Sequence, residues 1–389
     1  MEFTVPEEYQ ALRRRVRAFV ERELLPLERT LPEAPDLPDD LRRELQEKAK
    51  AEGLWALDVR REFGGQGLPN LGMVMVWEEL GRATVPPLRA PSVLTPRIGA
   101  LYHCTPEQRQ RFLDPIVRGE KRTAFALTEP WGGSDAAGNM RTRAVRDGDH
   151  WVLTGRKVFV GGADKADVVQ VFALTDPEKR ARGGITCFLV ERGTPGFRLG
   201  RQFQLMVADS PWELIFEECR VPHANVLGPV GEGFRLAQQH LTRDRIFHGA
   251  KAVGMAERAL ELAIDYARDR VTFGAPIAER QAVQWMFAES AMEIHATRLM
   301  TYHAAWKLDQ GLDVRQEASI VKAFGTEMLG RVTDRALQVF GAIGLSKDLP
   351  IERMFRDARS RRIGEGTSEI QRMVIARTLL RDPRRVRLI

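Results

Sequence analysis

The chain has 389 residues, 43% of them hydrophobic, and this length predicts two or three domains with buried cores. Its 59 basic and 53 acidic residues give a net charge of +6. The arginines alternate with acidic residues, as in RRRVRAFVERE at 13–23, which is typical of solvated helix faces. Only the tail RDPRRVRLI is a basic cluster, and we interpret it as a solvated or subunit-contacting end. No nucleic-acid partner is therefore expected.

Cysteine usage and hydropathy indicate the compartment. Cys104, Cys187 and Cys219 are odd in number, widely spaced and without a CxxC pair, so free thiols and no metal site are expected. No apolar run approaches the roughly 20 residues that a membrane span needs. The first ten residues lack the basic-then-apolar order of a signal peptide. We expect a cytoplasmic protein with no membrane partner.

Residues 1–122 are predicted to form an N-terminal α-helical domain. Apolar residues recur three and four apart from Tyr9 to Leu24, and Pro26 then ends this helix. Asn70 is a candidate N-cap for a later helix, and TPEQ at 105–108 has the pattern of a capping box. The Gly-rich stretch 62–67 is predicted to be a loop.

Residues 123–229 change to short β-type runs, which predicts a middle antiparallel β-barrel or sandwich. Asp147-Gly148 is a hairpin signal within this region. The predicted strands are 124–127, 140–145, 151–154, 157–160, 168–173, 185–190 and 213–216.

Residues 230–389 return to long helices with few breakers, which predicts a C-terminal four-helix bundle and an α+β multidomain protein overall. Bundles of this length usually bury a second face in an oligomer. The predicted helices run from about 234 to 270, 279 to 310, 314 to 340 and 367 to 380.

Two unusual loops carry the candidate chemistry. FALTEPWGGSDAAG at 125–138 runs a strand into glycines and hydroxyls, where the backbone can approach a ligand closely. RIGEGTSEIQ at 362–371 places a carboxylate between two glycines before a helix, which suits a general base. A hydride acceptor would have to be a cofactor, and no G-x-G-x-x-G opens a βαβ unit, so a flavin is favoured over a nicotinamide.

These loops, with RVTFG at 270–274 and QVFGAIG at 338–344, resemble the acyl-CoA dehydrogenases, FAD enzymes that desaturate acyl thioesters between the α and β carbons. The resemblance covers essentially the whole chain. It implies the order helices, barrel and bundle, an acyl-CoA substrate and an electron-transfer flavoprotein as partner. It also implies a homotetramer built as a dimer of dimers.

By position, the resemblance assigns the catalytic base to Glu365, whose backbone amide would also polarise the thioester carbonyl. Asp244 is an alternative base, because isovaleryl-type and long-chain relatives carry theirs on this helix. Glu365 is favoured because Asp is shorter than the Glu used there. The resemblance places acyl-CoA contacts at Ser134, Asp244, Arg245, Gly366 and Arg377.

FAD contacts are implied at sixteen positions in the β-domain and the bundle. The β-domain positions are Phe125, Leu127, Thr128, Gly133, Ser134, Phe159 and Gly161. Those in the bundle are Arg270, Thr272, Phe273, Gln281, Gln338, Gly341, Ala342, Thr367 and Glu369. The stretches 270–281 and 338–342 resemble the part that reaches the FAD pyrophosphate and adenosine of a neighbouring subunit, and the forked guanidinium of Arg270 suits a pyrophosphate.

Several positions depart from the family pattern. Phe125 and Phe159 replace Tyr and Trp, and Gly161 replaces a hydroxyl residue that tunes the flavin. Gly364 stands where straight-chain members place a tyrosine before the base. The space left by that ring predicts branched or ring-bearing acyl groups.

Two other functions remain open. One is a flavoprotein of the same fold that binds nucleic acid or does not dehydrogenate, which would explain the basic charge. Against it stand the intact Glu365 and the lack of a basic stripe. The other is oxidation by O₂, as in acyl-CoA oxidases, whose chains are usually much longer.

Overall fold

The N-terminal region is helical, as its apolar spacing predicts. The computed structural model describes residues 5–31, 33, 36–84 and 93–386. The helices are α1 (Glu7–Phe19), α2 (Leu27–Thr30), α3 (Asp39–Ala51), α4 (Asn70–Gly81), α5 (Pro106–Gln108) and α6 (Asp114–Val117). A π-helical turn, Val20–Leu24, extends α1, and a second, Arg109–Leu113, joins α5 to α6.

Helix capping agrees with the sequence at one helix and differs at another. The capping box is confirmed, since Thr105 accepts from the Gln108 N–H and the Gln108 side chain accepts from the Thr105 N–H. Asn70, however, is the first residue of α4 and not its cap. The Asp309 carboxylate accepts the N–H groups of Asn70 and Leu71 at 2.7 and 2.8 Å. A distant carboxylate therefore does the work expected of the Asn70 side chain.

The middle region forms one eight-stranded sheet in the order β6-β7-β3-β2-β4-β5-β8, with β1 beside β4. The strands are β1 (Thr123–Ala126), β2 (Arg143–Asp147), β3 (His150–Val160), β4 (Val168–Leu174), β5 (Ile185–Glu191), β6 (Phe197–Gln202), β7 (Trp212–Pro222) and β8 (Val226–Leu227). The sheet is mixed and not wholly antiparallel, because β4 pairs in parallel with β1 and β2. The chain between β1 and β4 contains the β2–β3 hairpin and is long enough for a parallel return.

The Asp147-Gly148 hairpin signal is confirmed, since Asp147 pairs with His150 across a two-residue turn. The two runs predicted at 151–154 and 157–160 are one strand, β3. Its register against β7 shifts between Leu153 and Gly155, and Gly155 has a φ of +152°. A β-bulge at this glycine interrupts the alternation and explains the apparent break in the sequence. Strands β6 and β8 lie outside the predicted set.

Strand β4 is buried on both faces. Val169, Val171 and Ala173 join one core cluster, with Trp151 and Phe188. The alternate residues Val168, Phe172 and Leu174 join another, which includes Phe112 and Leu113 of the turn before α6. A continuous apolar run is the pattern of a strand covered on both sides.

The C-terminal region contains the four predicted long helices and a fifth. They are α7 (Gly233–Asp269), α8 (Gln281–Asp309), α9 (Arg315–Phe340), α10 (Pro350–Arg361) and α11 (Ser368–Arg381). A small hairpin, β9 (Val271–Thr272) and β10 (Ala275–Pro276), joins α7 to α8. Alanines of α7 share a core cluster with α9 and α10. Helix α10, which is short and rich in arginine, is the one not predicted.

The described residues form two compact units. One contains α1, α2, α4 and the chain from Thr242 onward. The other contains α3, α5, α6, the eight-stranded sheet and the start of α7. The α+β class and the order of helices, sheet and helices are confirmed. The domain bounds 1–122, 123–229 and 230–389 stay a prediction. Within the described ranges, none of the helices has the length and apolar character required of a membrane-spanning segment.

Candidate active site

A buried ion pair anchors the Gly-rich loop, which we define as residues 128–142 between β1 and β2. Lys157 of β3 has no exposed surface, and its Nζ donates to Glu129 Oε1 at 2.7 Å and to the Leu127 carbonyl at 3.1 Å. Glu129 also accepts the N–H groups of Arg141 and Thr142 at 2.6 and 3.0 Å. One carboxylate thus ties together the start of the loop, its end and β3.

Burial lowers the pKa of Lys157 to about 8, while the neighbouring Glu129 opposes that shift. Desolvation is compensated only while both charges are present, so removing either would leave the other buried and unpaired. Neither residue was given a role from sequence. The available signal was a lysine within the β-type run 157–160, where apolar residues were expected on alternate positions.

The predicted flavin contacts around this loop differ in exposure. The Phe125 ring is partly buried, with centroids 4.7 Å from Phe172 and 5.2 Å from His240. Leu127 is buried, and Thr128 accepts the Val158 N–H through its carbonyl at 2.9 Å. Gly133 and Ser134 are exposed.

The end of β3 and the two glycines that follow it are open, and Phe159 near that end is strained. Phe159 has a φ of +56° and is 52% exposed, with its ring 4.5 Å from that of Phe203. A positive φ is costly for a bulky residue, and such strain concentrates at ligand sites. At Gly161 and Gly162 a Cβ would meet nothing within 4 Å. This leaves a bare strip of backbone beside an exposed aromatic ring.

The predicted base lies in the loop between α10 and α11, residues 362–367, which we call the base loop. Glu365 has a φ of +58° and Gly366 a φ of +93°. Thr367 is the N-cap of α11 and accepts the Ile370 N–H at 3.3 Å. The conformation at Glu365 is again an unfavourable one for a residue with a side chain.

Three side chains hold the backbone of the base loop. Arg245 Nε donates to the Glu365 carbonyl at 3.4 Å, and Lys322 Nζ and Gln371 Nε2 donate to the Gly366 carbonyl at 2.7 and 3.0 Å. A Cβ on Gly366 would lie 2.6 Å from Gln371 Nε2 and would stand on a φ of +93°, so glycine is favoured at this position. Burial lowers the pKa of Lys322 to about 8, against the opposing effect of Glu365.

The Glu365 carboxylate itself contacts a histidine. His248 Nε2 lies 2.9 Å from Glu365 Oε2, and His248 is only 7% exposed. Burial lowers the pKa of His248 although the carboxylate opposes the shift, so the imidazole is neutral at pH 7. His248, Lys322 and Gln371 were not identified from sequence. The available signal for His248 was its position three residues after Arg245, on the same face of α7.

Three other predicted substrate and flavin positions lie on α7 and α11. Asp244 is half-buried on α7, directly before Arg245, while Glu369 and Arg377 are exposed on α11. Of the predicted acyl-CoA contacts on these elements, Arg245 and Gly366 lie next to Glu365. The roles assigned to these residues stay predictions.

The β9–β10 hairpin is unusual at its tip. Thr272 pairs with Ala275, so Phe273 and Gly274 form a two-residue turn with φ of +49° and +82°. Phe273 is fully exposed. Such turns favour Asn or Gly, and an exposed phenylalanine there carries both strain and bare apolar surface. The remaining predicted contacts Arg270, Gln281, Gln338, Gly341 and Ala342 are also exposed.

Family models cover nearly the whole chain. The acyl-CoA dehydrogenase N-terminal, middle and C-terminal domain models match residues 6–120, 124–219 and 231–380. The chain is 38% identical to acryloyl-CoA reductase (NADH) of Anaerotignum propionicum, over 98% of this chain and 96% of that one. It is 37% identical to (R)-benzylsuccinyl-CoA dehydrogenase of Thauera aromatica, over 99% and 98%.

Several solved structures are similar to this chain over nearly its whole length. Butyryl-CoA dehydrogenase from Megasphaera elsdenii superposes with a TM-score of 0.89 at 34% identity, covering 98% of this chain and 100% of that one. A chain from the electron transferring flavoprotein structure of Acidaminococcus fermentans has a TM-score of 0.89 and 37% sequence identity, and the match covers 98% of this chain and 100% of that one. The FAD complex of PigA has a TM-score of 0.90 and 28% sequence identity, and the match covers 97% of this chain and 99% of that one. The chain belongs to the acyl-CoA dehydrogenase family and is an oxidoreductase of that family.

The family and its FAD-bound neighbour indicate a flavin cofactor, and the residues present fit one. The open backbone at Gly161 and Gly162 leaves room for a flat ring against the main chain. The exposed Phe159 ring provides an aromatic surface, and the exposed Gly133 and Ser134 offer backbone and hydroxyl donors.

Proposed function

We propose that this protein catalyses the FAD-dependent α,β-dehydrogenation of an acyl-CoA thioester to the trans-2-enoyl-CoA, with Glu365 as the base. The observation that carries the proposal is the position of Glu365 in a strained loop, where the backbone carbonyls of Glu365 and Gly366 accept hydrogen bonds from side chains of three helices. A base on an otherwise unfavourable backbone is typical of a site where position matters more than stability.

The reaction removes a proton from the α carbon and a hydride from the β carbon. Glu365 takes the α proton, and the pair of electrons left behind forms the new double bond as the hydride departs. The Glu365 backbone amide donates to the thioester carbonyl, which stabilises the negative charge that develops there. FAD, when bound, supplies the hydride acceptor. The Glu365 side chain is 35% exposed; a bound acyl group would cover it and, by excluding water, would make the carboxylate a stronger base.

Acyl-CoA contacts are proposed at Ser134, Arg245, Gly366 and Arg377, with Asp244 either among them or as a substitute base. Arg245 is only 8% exposed. This burial lowers the pKa of its guanidinium, and the nearby Glu365 opposes the shift. Its bond to the Glu365 carbonyl supports a role in shaping the base loop as well as in meeting the thioester.

An electron-transfer flavoprotein is proposed as the acceptor of the electrons, supported by the structural match in the electron transferring flavoprotein structure. A second direction of catalysis has specific support, because one close relative is acryloyl-CoA reductase (NADH). Reduction would use the same residues in reverse, with protonated Glu365 returning a proton to the α carbon.

A homotetramer is proposed from the surface of α8. Trp285, Met292, Leu299 and Trp306 are 61%, 64%, 45% and 47% exposed and recur every seven residues. A stripe at this spacing on one helix is the pattern of helix–helix association, and large apolar side chains in a row are costly in water. The exposed Phe273 is a second surface that a neighbouring subunit would cover. The cytoplasmic location stays a prediction.

The test is an anaerobic screen of the yellow, FAD-loaded protein against straight, branched and aromatic acyl-CoAs. We expect at least one to bleach the flavin absorbance and to yield the enoyl-CoA. Failure of the whole panel to bleach protein that carries FAD would overturn the dehydrogenase proposal. Bleaching by NADH, followed by recovery with an enoyl-CoA, would favour the reductase direction.

A further inference from the structure

We propose that His248 is a positioning residue for Glu365, holding one carboxylate oxygen through its Nε2–H and favouring the ionised form of the base. This inference rests on the proposed function for its catalytic meaning. Its structural content concerns two residues of this chain alone, separated by 2.9 Å between Nε2 and Oε2.

The arrangement follows from one face of α7. Arg245 and His248 are three residues apart, so their side chains leave the helix on the same side. Arg245 binds the main-chain carbonyl of Glu365, and His248 binds its carboxylate. One helix face therefore fixes both the backbone and the side chain of the predicted base.

The tautomer can be deduced from the other ring nitrogen. His248 Nδ1 is buried and has no hydrogen-bond partner among the described residues. A proton on Nδ1 would be a buried, unpaired donor, which is costly, whereas a bare lone pair costs less. The single proton of the neutral imidazole therefore lies on Nε2 and is donated to Glu365.

The charges around the pair act in the same direction. Lys251 of α7 and Arg361 of α10 disfavour an imidazolium at His248, and burial does so more strongly. Arg245 of α7 and Lys322 of α9 interact with the Glu365 charge and favour the carboxylate. The pair is thus a neutral donor and an anionic acceptor.

This assignment has two consequences for the reaction. A hydrogen bond to the charged form of a carboxyl group lowers its pKa, so His248 keeps Glu365 available as a base at lower pH. His248 cannot take the abstracted proton, because its Nε2 already carries one and its Nδ1 has no path to Glu365. The proton taken from the α carbon stays on Glu365 until it leaves to solvent.

The kinetic test compares His248→Leu, which removes the donor, with His248→Gln, which retains an amide N–H. We expect the acidic limb of the kcat/KM profile, where the base becomes protonated, to move up by about one pH unit in His248→Leu. His248→Gln should stay near wild type. His150→Leu, at the first residue of β3, is the control and should leave the limb unchanged. An equal loss at every pH in His248→Leu would mean a structural role only and would overturn the proposal.

A second measurement does not depend on turnover. Solid-state ¹⁵N spectra of the histidine-labelled holoprotein contain signals from seven histidines, and His248 is assigned by its loss in His248→Gln. We expect a protonated Nε2, a bare Nδ1 and a clear change of the signal in Glu365→Gln. A proton on Nδ1, or no response to Glu365→Gln, would refute the pairing. Confirmed pairing in a protein that no acyl-CoA bleaches would instead refute the proposed function.

Discussion

Lys157 and Glu129 form an ion pair with essentially no exposed surface. Lys157 also donates to the carbonyl of Leu127, directly before the Gly-rich loop, and Glu129 accepts the N–H of Arg141 near the end of the loop. A loop of glycines and small polar residues has little core of its own to define its shape. Its conformation is therefore set by one carboxylate and one ammonium group that meet beneath it. The expected flavin contacts at Gly133 and Ser134 depend on that pair without touching it.

Replacing Lys157 with methionine should leave Glu129 buried without its cation. We expect the free energy of unfolding to fall by about 3–5 kcal/mol, because the uncompensated charge has lost its partner inside the protein. FAD content after purification should fall as well, since the loop loses its anchor. Urea unfolding and the ratio of flavin to protein absorbance measure the two effects.

The matched control is Arg198→Met, which breaks the exposed pair between Arg198 of β6 and Glu217 of β7. That change should cost about 1 kcal/mol or less and leave FAD content unchanged. Equal losses in the two variants would show that the buried pair has no special role in the loop.

Two carboxylates on different elements are candidates for the base, Glu365 in the base loop and Asp244 on α7. Glu365→Gln should lower kcat by about 10²–10⁴-fold while FAD stays bound, because the amide cannot accept the α proton. Asp244→Asn should cost much less. Single-turnover bleaching with the best acyl-CoA measures both, and the flavin spectrum reports whether the cofactor is retained. The reverse ranking would transfer the role to Asp244.

Stability should depend on pH through Glu78, which is buried on α4 and lies 3.2 Å from Arg298 and 3.5 Å from Arg13. Burial raises the pKa of Glu78 to about 7, against the attraction of both arginines. The unfolded carboxyl titrates near about 4.3, so the native state binds more protons between these values. The stability that Glu78 contributes is then fully present below about pH 4.3 and is lost as pH rises through 7.

Glu78→Gln cannot ionise and should lose less stability than wild type between pH 5 and pH 8, by on the order of 1–3 kcal/mol. Urea unfolding at the two pH values measures the difference. Glu7→Gln, at an exposed position of α1, is the control and should follow the wild type. Parallel curves for wild type and Glu78→Gln would mean that Glu78 stays ionised throughout.

How much could be predicted from sequence differs between the fold and the site. Elements with a clear period and a local signal are confirmed, such as the capping box at Thr105 and the hairpin at Asp147. Sequence-based prediction failed where a residue's hydrogen-bond or ion-pair partner lies far away in the chain. The cap of α4 is Asp309, and the anchor of the Gly-rich loop is Lys157. His248 lies 2.9 Å from Glu365, although the two are far apart in the chain, and no local pattern connects them.

The stripe on α8 gives a prediction for assembly. Met292 is 64% exposed in the middle of the stripe, and Met292→Arg would place a charge where a second apolar helix face is expected. We expect the proposed tetramer to dissociate to smaller species, measured by light scattering after gel filtration. Arg331→Met removes from α9 the exposed ion-pair partner of Glu293 on α8; it is the control and should not change the assembly. Unchanged mass in Met292→Arg would place the interface elsewhere.

The last prediction concerns substrate shape and rests on Gly364, directly before Glu365 in the base loop. The family resemblance places a tyrosine there in straight-chain members, and the space of that ring can be filled by substrate, by water, or by a neighbouring side chain such as Phe247 or Phe340. Water is a poor replacement, because a hydrated carboxylate has a lower pKa and abstracts the α proton less well. Substrate bulk at the α and β carbons is therefore the expected filler.

Wild type should accordingly prefer isobutyryl- and phenyl-substituted acyl-CoAs to butyryl- and octanoyl-CoA, and Gly364→Tyr should reverse the order. Each methylene of pocket contact changes discrimination by about 1–3 kcal/mol, so the ratios of kcat/KM should change by roughly 10- to 200-fold. Gly364→Ala adds one methyl group without filling the space and should keep the wild-type order, which separates the volume of the ring from any effect on the backbone of the loop. If wild type prefers straight chains and the tyrosine leaves that order unchanged, another side chain closes the pocket, and Gly364 does not determine specificity.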